Sequence, residues 1–228
     1  MWQNWSTLTE AVKKGKSVIE HSGHSGNPSW SKSFISAMHY RAKNQAAAII
    51  EHIDISGVRK LLDLGGGSAV YSMAFITAKH DIKAVVFDLP HIIPITSEYI
   101  EKEGYTGSID TITGNYLYDD FGSGYDLIFL SAIVHINSYD ENLNLIGRCA
   151  GALNPGGQIV VQDHIMNDDR TYPVAGALFA MNMLVGTEKG DTYTETEMKE
   201  WFTASGITDV VRIDGAFESM QLIGRKKT

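Results

Sequence analysis

The chain has 228 residues, 43 % hydrophobic and 20 % charged, which is enough apolar material for a sizeable core and excludes a mostly disordered chain. Its 27 acidic and 19 basic residues leave a net charge of −8, a balance that disfavours binding to a nucleic-acid backbone, which needs a basic face. One cysteine, Cys149, excludes an internal disulfide and a cysteine-based zinc site. No run approaches the roughly 20 apolar residues of a membrane span, and residues 1–5 start no secretory leader, so a cytoplasmic setting is expected.

Residues 1–33 read as a helical extension. It holds Trp2, Trp5 and Trp30, and Leu8, Ala11, Val12 and Ile19 share a face that predicts a helix over 8–19. Residues 21–28 form a loop by composition, and His21 and His24 within it have no further ligands to make a metal site. From residue 34 the apolar positions Phe34, Met38, Ala42, Ala46, Ile49 and Ile50 recur at helical intervals. Strand-like runs follow at 60–64, 83–88, 109–113, 126–131 and 158–162, most of them separated by amphipathic stretches at 69–79, 91–103 and 140–153. Such alternation predicts an α/β fold, a doubly wound sheet of parallel β-α-β units with helices on both faces. After residue 171 come a helix, a glycine-containing loop at 186–190 and a helix over 194–205. The last strands, 209–213 and 217–224, are joined by Asp214-Gly215-Ala216, a reversal tight enough to make that pair antiparallel.

The strongest local signal is Leu61-Leu62-Asp63-Leu64-Gly65-Gly66-Gly67-Ser68. An apolar strand runs into three glycines, which let backbone approach a ligand closely, at the strand end where open α/β sheets bind ligands. Asp88 ends the next strand 21 residues after Gly67, the interval at which an acid reaches a ribose diol. Val70 stands where a dinucleotide fingerprint needs its third glycine, and no Gly-Lys-Ser/Thr follows. Asp63 beside the loop disfavours phosphate and favours an ammonium or sulfonium. A nucleoside with positive groups and no phosphate fits, which describes S-adenosylmethionine (SAM).

From FISAM at 34–38 onward, the segments LLDLGGGSA, VVFDLP, TGNYLYDDF, YDLIFLSAIVH, LNPGGQIVVQD and TETEMKEWFTASGI stand in order. In these the chain resembles the catalytic domain of the SAM-dependent O-methyltransferases of the hydroxyindole and plant caffeate type. The resemblance covers roughly residues 34–224, and residues 34–228 are expected to form the SAM-binding domain. It implies the class I methyltransferase fold, a Rossmann-like sheet of seven strands with the last antiparallel. It further implies that Gly65 and Gly67 line the methionine part of SAM, Asp88 binds the ribose and Leu89 packs on the adenine. Asn115 stands where the family has Asp and would accept from the adenine amine. Tyr116 would cover the ring, Ser131 would lie beside the methionine moiety, and Met38 would approach cofactor or substrate.

The resemblance makes His135 the base that takes a proton from an acceptor hydroxyl, a role suited to an imidazole whose ordinary pKa is about 6.5. Two departures stand out. The family's His-Asp-Trp is His135-Ile136-Asn137 here, and Thr192 occupies the position of the acid that orients the base, leaving Asp191 or Glu188 as substitutes. Phe179, Asn182 and Met183 are expected to line the acceptor slot, Asn182 because a buried amide needs a partner that a ligand could supply. Asp163, His164, Asp168 and Asp169 read as a solvated turn, and no metal is expected. The expected activity is methyl transfer from SAM, giving S-adenosylhomocysteine (SAH), to a hydroxyl of a small aromatic molecule. The rivals are C- or N-methyl transfer on the same scaffold and a non-catalytic SAM-binding module. Full-length relatives of this family carry an N-terminal winged-helix dimerisation domain that this chain is expected to lack, so a monomer or a dimer unlike the family's is expected.

Overall fold

The computed structural model describes residues 2–19, 27–215 and 220–228. Among them, β1 (Lys60–Leu64), β2 (Lys83–Asp88), β3 (Ile109–Thr113), β4 (Tyr125–Ser131) and β5 (Leu153–Asp163) are the parallel strands of a seven-stranded sheet. Two short strands, β6 (Ile165–Met166) and β7 (Tyr193–Thr194), pair separately. β8 (Ile207–Asp214) and β9 (Met220–Lys226) complete the large sheet in the order β3-β2-β1-β4-β5-β9-β8, with β9 antiparallel to both neighbours. This is the expected class I methyltransferase architecture. Residues 217–219 of the last expected strand lie outside the described residues, as do His21 and His24.

The helices are α1 (Trp2–Trp5), α2 (Leu8–Lys14), α3 (Pro28–Lys43), α4 (Ala46–Ile50), α5 (Val70–Ala78), α6 (Ile93–Lys102), α7 (Tyr139–Ala152), α8 (Val174–Gly186) and α9 (Glu195–Ala204). The central strands are mostly apolar because both of their faces are covered. With period two along each strand, Leu61, Leu127, Phe129 and Val160 enter one core layer with Ile49, Phe75 and Ile76 of α4 and α5. Leu62, Leu64, Ile128, Leu130 and Ile159 enter the other, against Leu145, Ile146 and Trp201 of α7 and α9. Both α7 and α9 start with a capping box, Ser138 with Glu141 and Thr194 with Glu197, in which side chain and backbone satisfy each other's free donors.

Two boundaries differ from expectation. The helix expected over 8–19 stops at Lys14, because Gly15 takes a left-handed φ of 67° and its N–H, with that of Lys16, closes the helix onto Val12 and Ala11. The helix expected from residue 34 starts at Pro28. Asn27 caps it, its side-chain oxygen accepting from the Ser29 and Trp30 N–H groups at 3.1 and 3.3 Å, and proline suits the first helical position. The division expected at 33/34 therefore falls inside α3. No helix among the described residues is long and apolar enough to cross a membrane.

Candidate active site

The ends of β1, β2 and β4 meet at the glycine loop. Gly65 and Gly67 have φ of 71° and 54°, values that glycine adopts without penalty, and a Cβ on Gly65 would run into Ile133. The Asp88 carboxylate spans the gap from β2, accepting from Gly67 N–H at 2.8 Å and from Leu89 N–H at 2.7 Å. Burial pushes this carboxyl above its ordinary range, against those two hydrogen bonds. Each of its oxygens keeps acceptor capacity for a diol. Leu89 packs with Ile35, Ile92 and Ile95 between α3 and α6.

Asp63 acts differently from expectation. It is buried beneath the loop, where its carboxylate accepts from Ser72 N–H (3.2 Å) and Ser72 Oγ (2.8 Å). It thus satisfies a free donor in the first turn of α5. A Cβ on Gly66 would stand 2.6 Å from its Cγ, which explains the middle glycine. Burial pushes the Asp63 carboxyl up to about 6. A raised folded-state pKa contributes stability that is present below the ordinary carboxyl value and lost as pH rises through about 6. Asp63→Asn will therefore gain on the wild type by up to about 3 kcal/mol between about pH 4 and 7 in urea titrations. Parallel profiles for the two proteins would refute it.

His135 sits on a 3-10 turn, Val134–Ile136, just past β4. Its Nδ1 lies 2.9 Å from both Oδ1 and Oδ2 of Asp163 at the end of β5, with the two side chains 13 % and 2 % exposed. An ionised carboxylate only accepts, so Nδ1 carries the proton and Nε2 is left as the basic nitrogen of the neutral ring. Burial would raise the Asp163 carboxyl, but the hydrogen bond from His135 and the attraction of that ring whenever it is protonated hold it below the ordinary carboxylate range. The acid that bonds to His135 is thus Asp163, not Asp191 or Glu188. The Asp191 carboxylate faces Arg170 at 3.2 Å, and Glu188 is exposed. Nor is the Asp163 segment wholly a solvated turn. Asp168 and Asp169 are exposed, while Asp163 is enclosed.

Asn137, read above as a departure, anchors the turn. It is 3 % exposed and its Oδ1 accepts from the Tyr116 hydroxyl at 3.1 Å. Its Nδ2 donates to Asn142 Oδ1 at 3.0 Å, and its carbonyl accepts from the Tyr193 hydroxyl at 2.6 Å. Asn142 in turn donates to the Val134 carbonyl. Burial pushes the Tyr116 phenol up to about 12, against the hydrogen bond to Asn137, so it stays a donor. Gly190 lies against the His135 carbonyl, which accepts from Asp191 N–H.

The remaining expected residues divide. Ser131 ends β4 beside the loop, its hydroxyl donating to Gln162 at 2.9 Å. Asn115 follows β3, but its side-chain oxygen already accepts from Leu117 N–H at 3.0 Å, a local turn that competes with an adenine amine. Phe179 meets His135 edge-on at 4.9 Å and His164 at 4.6 Å. Met183 is buried on the same helix. Met38 is 39 % exposed, and it is Ile35 that reaches Gly67. Asn182 is half-buried, and its partner is the Trp5 indole at 3.2 Å. That contact joins α8 to the N-terminal helices and could not be read from a spacing of 177 residues. Among the described residues no group of three or more His, Cys, Asp or Glu is placed to hold a metal.

Residues 5–208 match the family model described as the O-methyltransferase domain. The chain belongs to this family. A 3-hydroxy-5-methyl-1-naphthoate 3-O-methyltransferase of Streptomyces sahachiroi is 34 % identical over 165 residues, covering 72 % of this chain and 48 % of that protein. An L-tyrosine C(3)-methyltransferase of Streptomyces lavendulae is 30 % identical over 181 residues, covering 79 % and 50 %. The chain thus spans about half the length of these curated relatives. The crystal structure of human N-acetylserotonin methyltransferase in complex with SAM superposes with a TM-score of 0.89 at 22 % identity, covering 99 % of this O-methyltransferase domain and 67 % of the human chain. At that identity the likeness is one of fold.

Proposed function

We propose that this O-methyltransferase domain moves a methyl group from SAM to a hydroxyl of a small aromatic molecule, with His135 as the base. The observation that carries the reading is the His135–Asp163 pair, held at the same sheet edge as the glycine loop and Asp88. The residues present fit SAM: Gly65 and Gly67 turn the loop through left-handed backbone at the carboxyl end of β1, and Asp88 offers a carboxylate to a diol. When bound, SAM supplies a methyl group activated by a sulfonium. The chain's own part is to bind, orient and deprotonate. Asp163 fixes the imidazole, Nε2 takes the hydroxyl proton, and Phe179, edge-on to that ring, forms one wall beside the acceptor. The naphthoate relative, whose name places its methyl group on an aromatic oxygen, supports an aromatic hydroxyl as acceptor. The tyrosine C(3)-methyltransferase relative favours a second reading, transfer to a ring carbon made nucleophilic by the same deprotonation.

The test is incubation with SAM and a panel of phenols, naphthols and hydroxyaryl acids, with SAH release and product position read by mass spectrometry and NMR. O-methyl products formed one-for-one with SAH are expected. Ring-methylated products would select the second reading, and SAH binding with no product across the panel would favour a non-catalytic module.

A further inference from the structure

α3 crosses the outside of the glycine loop. Ile35 Cδ1 lies 3.4 Å from where a Cβ on Gly67 would stand. One helical turn on, His39 Nδ1 is 2.9 Å from Ser68 Oγ. The imidazole is stacked on Tyr99 of α6, with centroids 4.4 Å apart and planes at 26°. Gly67 itself is tied at both of its backbone groups. Its N–H donates to Asp88 Oδ2 at 2.8 Å, and its carbonyl accepts from Thr96 Oγ1 of α6 at 2.5 Å. Two successive loop residues are thus held from β2, α6 and α3. Ser68 is only 4 % exposed, so its hydroxyl needs a protein partner, and His39 is that partner.

We infer that His39 is a positioning residue for the cofactor: through Ser68 it seats α3 on the glycine loop and keeps Gly67 and Ser68 in the arrangement that receives the nucleoside. The inference rests on the reading of this loop as the SAM site. Packing alone does not explain the choice of residue, because a phenylalanine would stack on Tyr99 equally well and leave the Ser68 hydroxyl unpaired. The charge state agrees. Burial, then Lys43 and more weakly Lys102, hold the imidazole below its ordinary range, with Glu103 acting in the opposite sense. Near neutral pH the ring is therefore uncharged, and no second cation is set beside the loop that receives a sulfonium.

The test is calorimetric titration of the whole chain with SAH, for the wild type, His39→Phe, His39→Asn, Ser68→Ala and the His39→Phe/Ser68→Ala double variant. Losing one buried hydrogen bond, His39→Phe should bind SAH about three- to tenfold more weakly, while His39→Asn, which keeps a polar atom near the Nδ1 position, recovers most of the loss. Ser68→Ala should cost about as much as His39→Phe, and the double variant no more than either single one. Wild-type affinity in His39→Phe, or losses that multiply in the double variant, would overturn the inference and leave the SAM site standing. A wild type that binds no SAH would remove the SAM site, and this inference with it. Circular dichroism melts accompany each titration. Should His39→Phe fail to fold, His39→Asn and Ser68→Ala decide the matter, a near-wild-type asparagine variant with a weakened alanine variant being expected and the reverse contradicting it.

Discussion

His135→Ala will lower kcat by about 100- to 10,000-fold, the span that general-base removal covers, while SAH affinity stays within about twofold. The separation follows from placement. His135 stands on the turn after β4 and is tied to Asp163 at the end of β5, whereas the glycine loop and Asp88 belong to β1 and β2. Asp163→Asn is a sharper version of the same test. An asparagine that donates its amide to Nδ1 reverses the tautomer and leaves Nε2 protonated, so the ring remains in place and loses its base; a fall of at least about tenfold is expected. Because His135 holds the Asp163 carboxyl below its ordinary range, the pair stays assembled at mildly acidic pH. Single-turnover rates with labelled SAM measure the effect free of product release. Wild-type rates in either variant would mean that the acceptor arrives ionised or that the methyl goes to an atom needing no base.

Asp88→Ala will weaken SAH binding by about 100- to 10,000-fold, the equivalent of two hydrogen bonds to a charged acceptor. The same substitution strips Gly67 N–H and Leu89 N–H of their partner, so the loop loses part of its shape as well as its acceptor. Asp88→Asn keeps one oxygen and should fall between wild type and alanine. Isothermal titration together with a melt reads both effects. Alanine-variant affinity equal to wild type would place the nucleoside elsewhere.

What was legible in the chain follows physical lines. β1, β2 and β3 match their expected spans to the residue, because β1 and β2 are largely apolar runs bounded by turn residues and β3, at the sheet edge, is a short stretch of β-branched residues alternating with polar ones. β5 starts at Leu153, earlier than the apolar run at 158–162, because Leu153 pairs with Tyr125 of β4 before the register shifts and Gln158 pairs with Leu127, while Asn154-Pro155-Gly156-Gly157 between them reads as a turn. α3 starts six residues before its expected position because Asn27-Pro28, a capping residue and a first-turn proline, reads equally as the end of a loop. β6 and β7 are two residues each, below what periodicity resolves.

Within the site, local signals were readable and long-range pairings were not. The glycine run and Asp88 carry their meaning in a short spacing, and the structure ties them together at 2.8 Å. The family pattern points to an acid near residue 192, whereas the carboxylate that bonds to His135 belongs to Asp163, 28 residues away in sequence. A usable signal was present: Asp163 ends an apolar strand adjacent to the one that delivers His135, so the topology brings the two ends side by side. Asn137 and Asn182 show the same limit. One is the hub of a buried network and the other bonds to Trp5, and both partnerships exist only in three dimensions.

Equilibrium dialysis of radiolabelled SAM against the folded chain reads the glycine bed and its carboxylate in one step. One equivalent bound by the wild type, displaced by SAH and lost in Asp88→Ala, is the expected result. No association with folded wild-type protein, or equal association by the two proteins, would contradict a nucleoside held at Asp88.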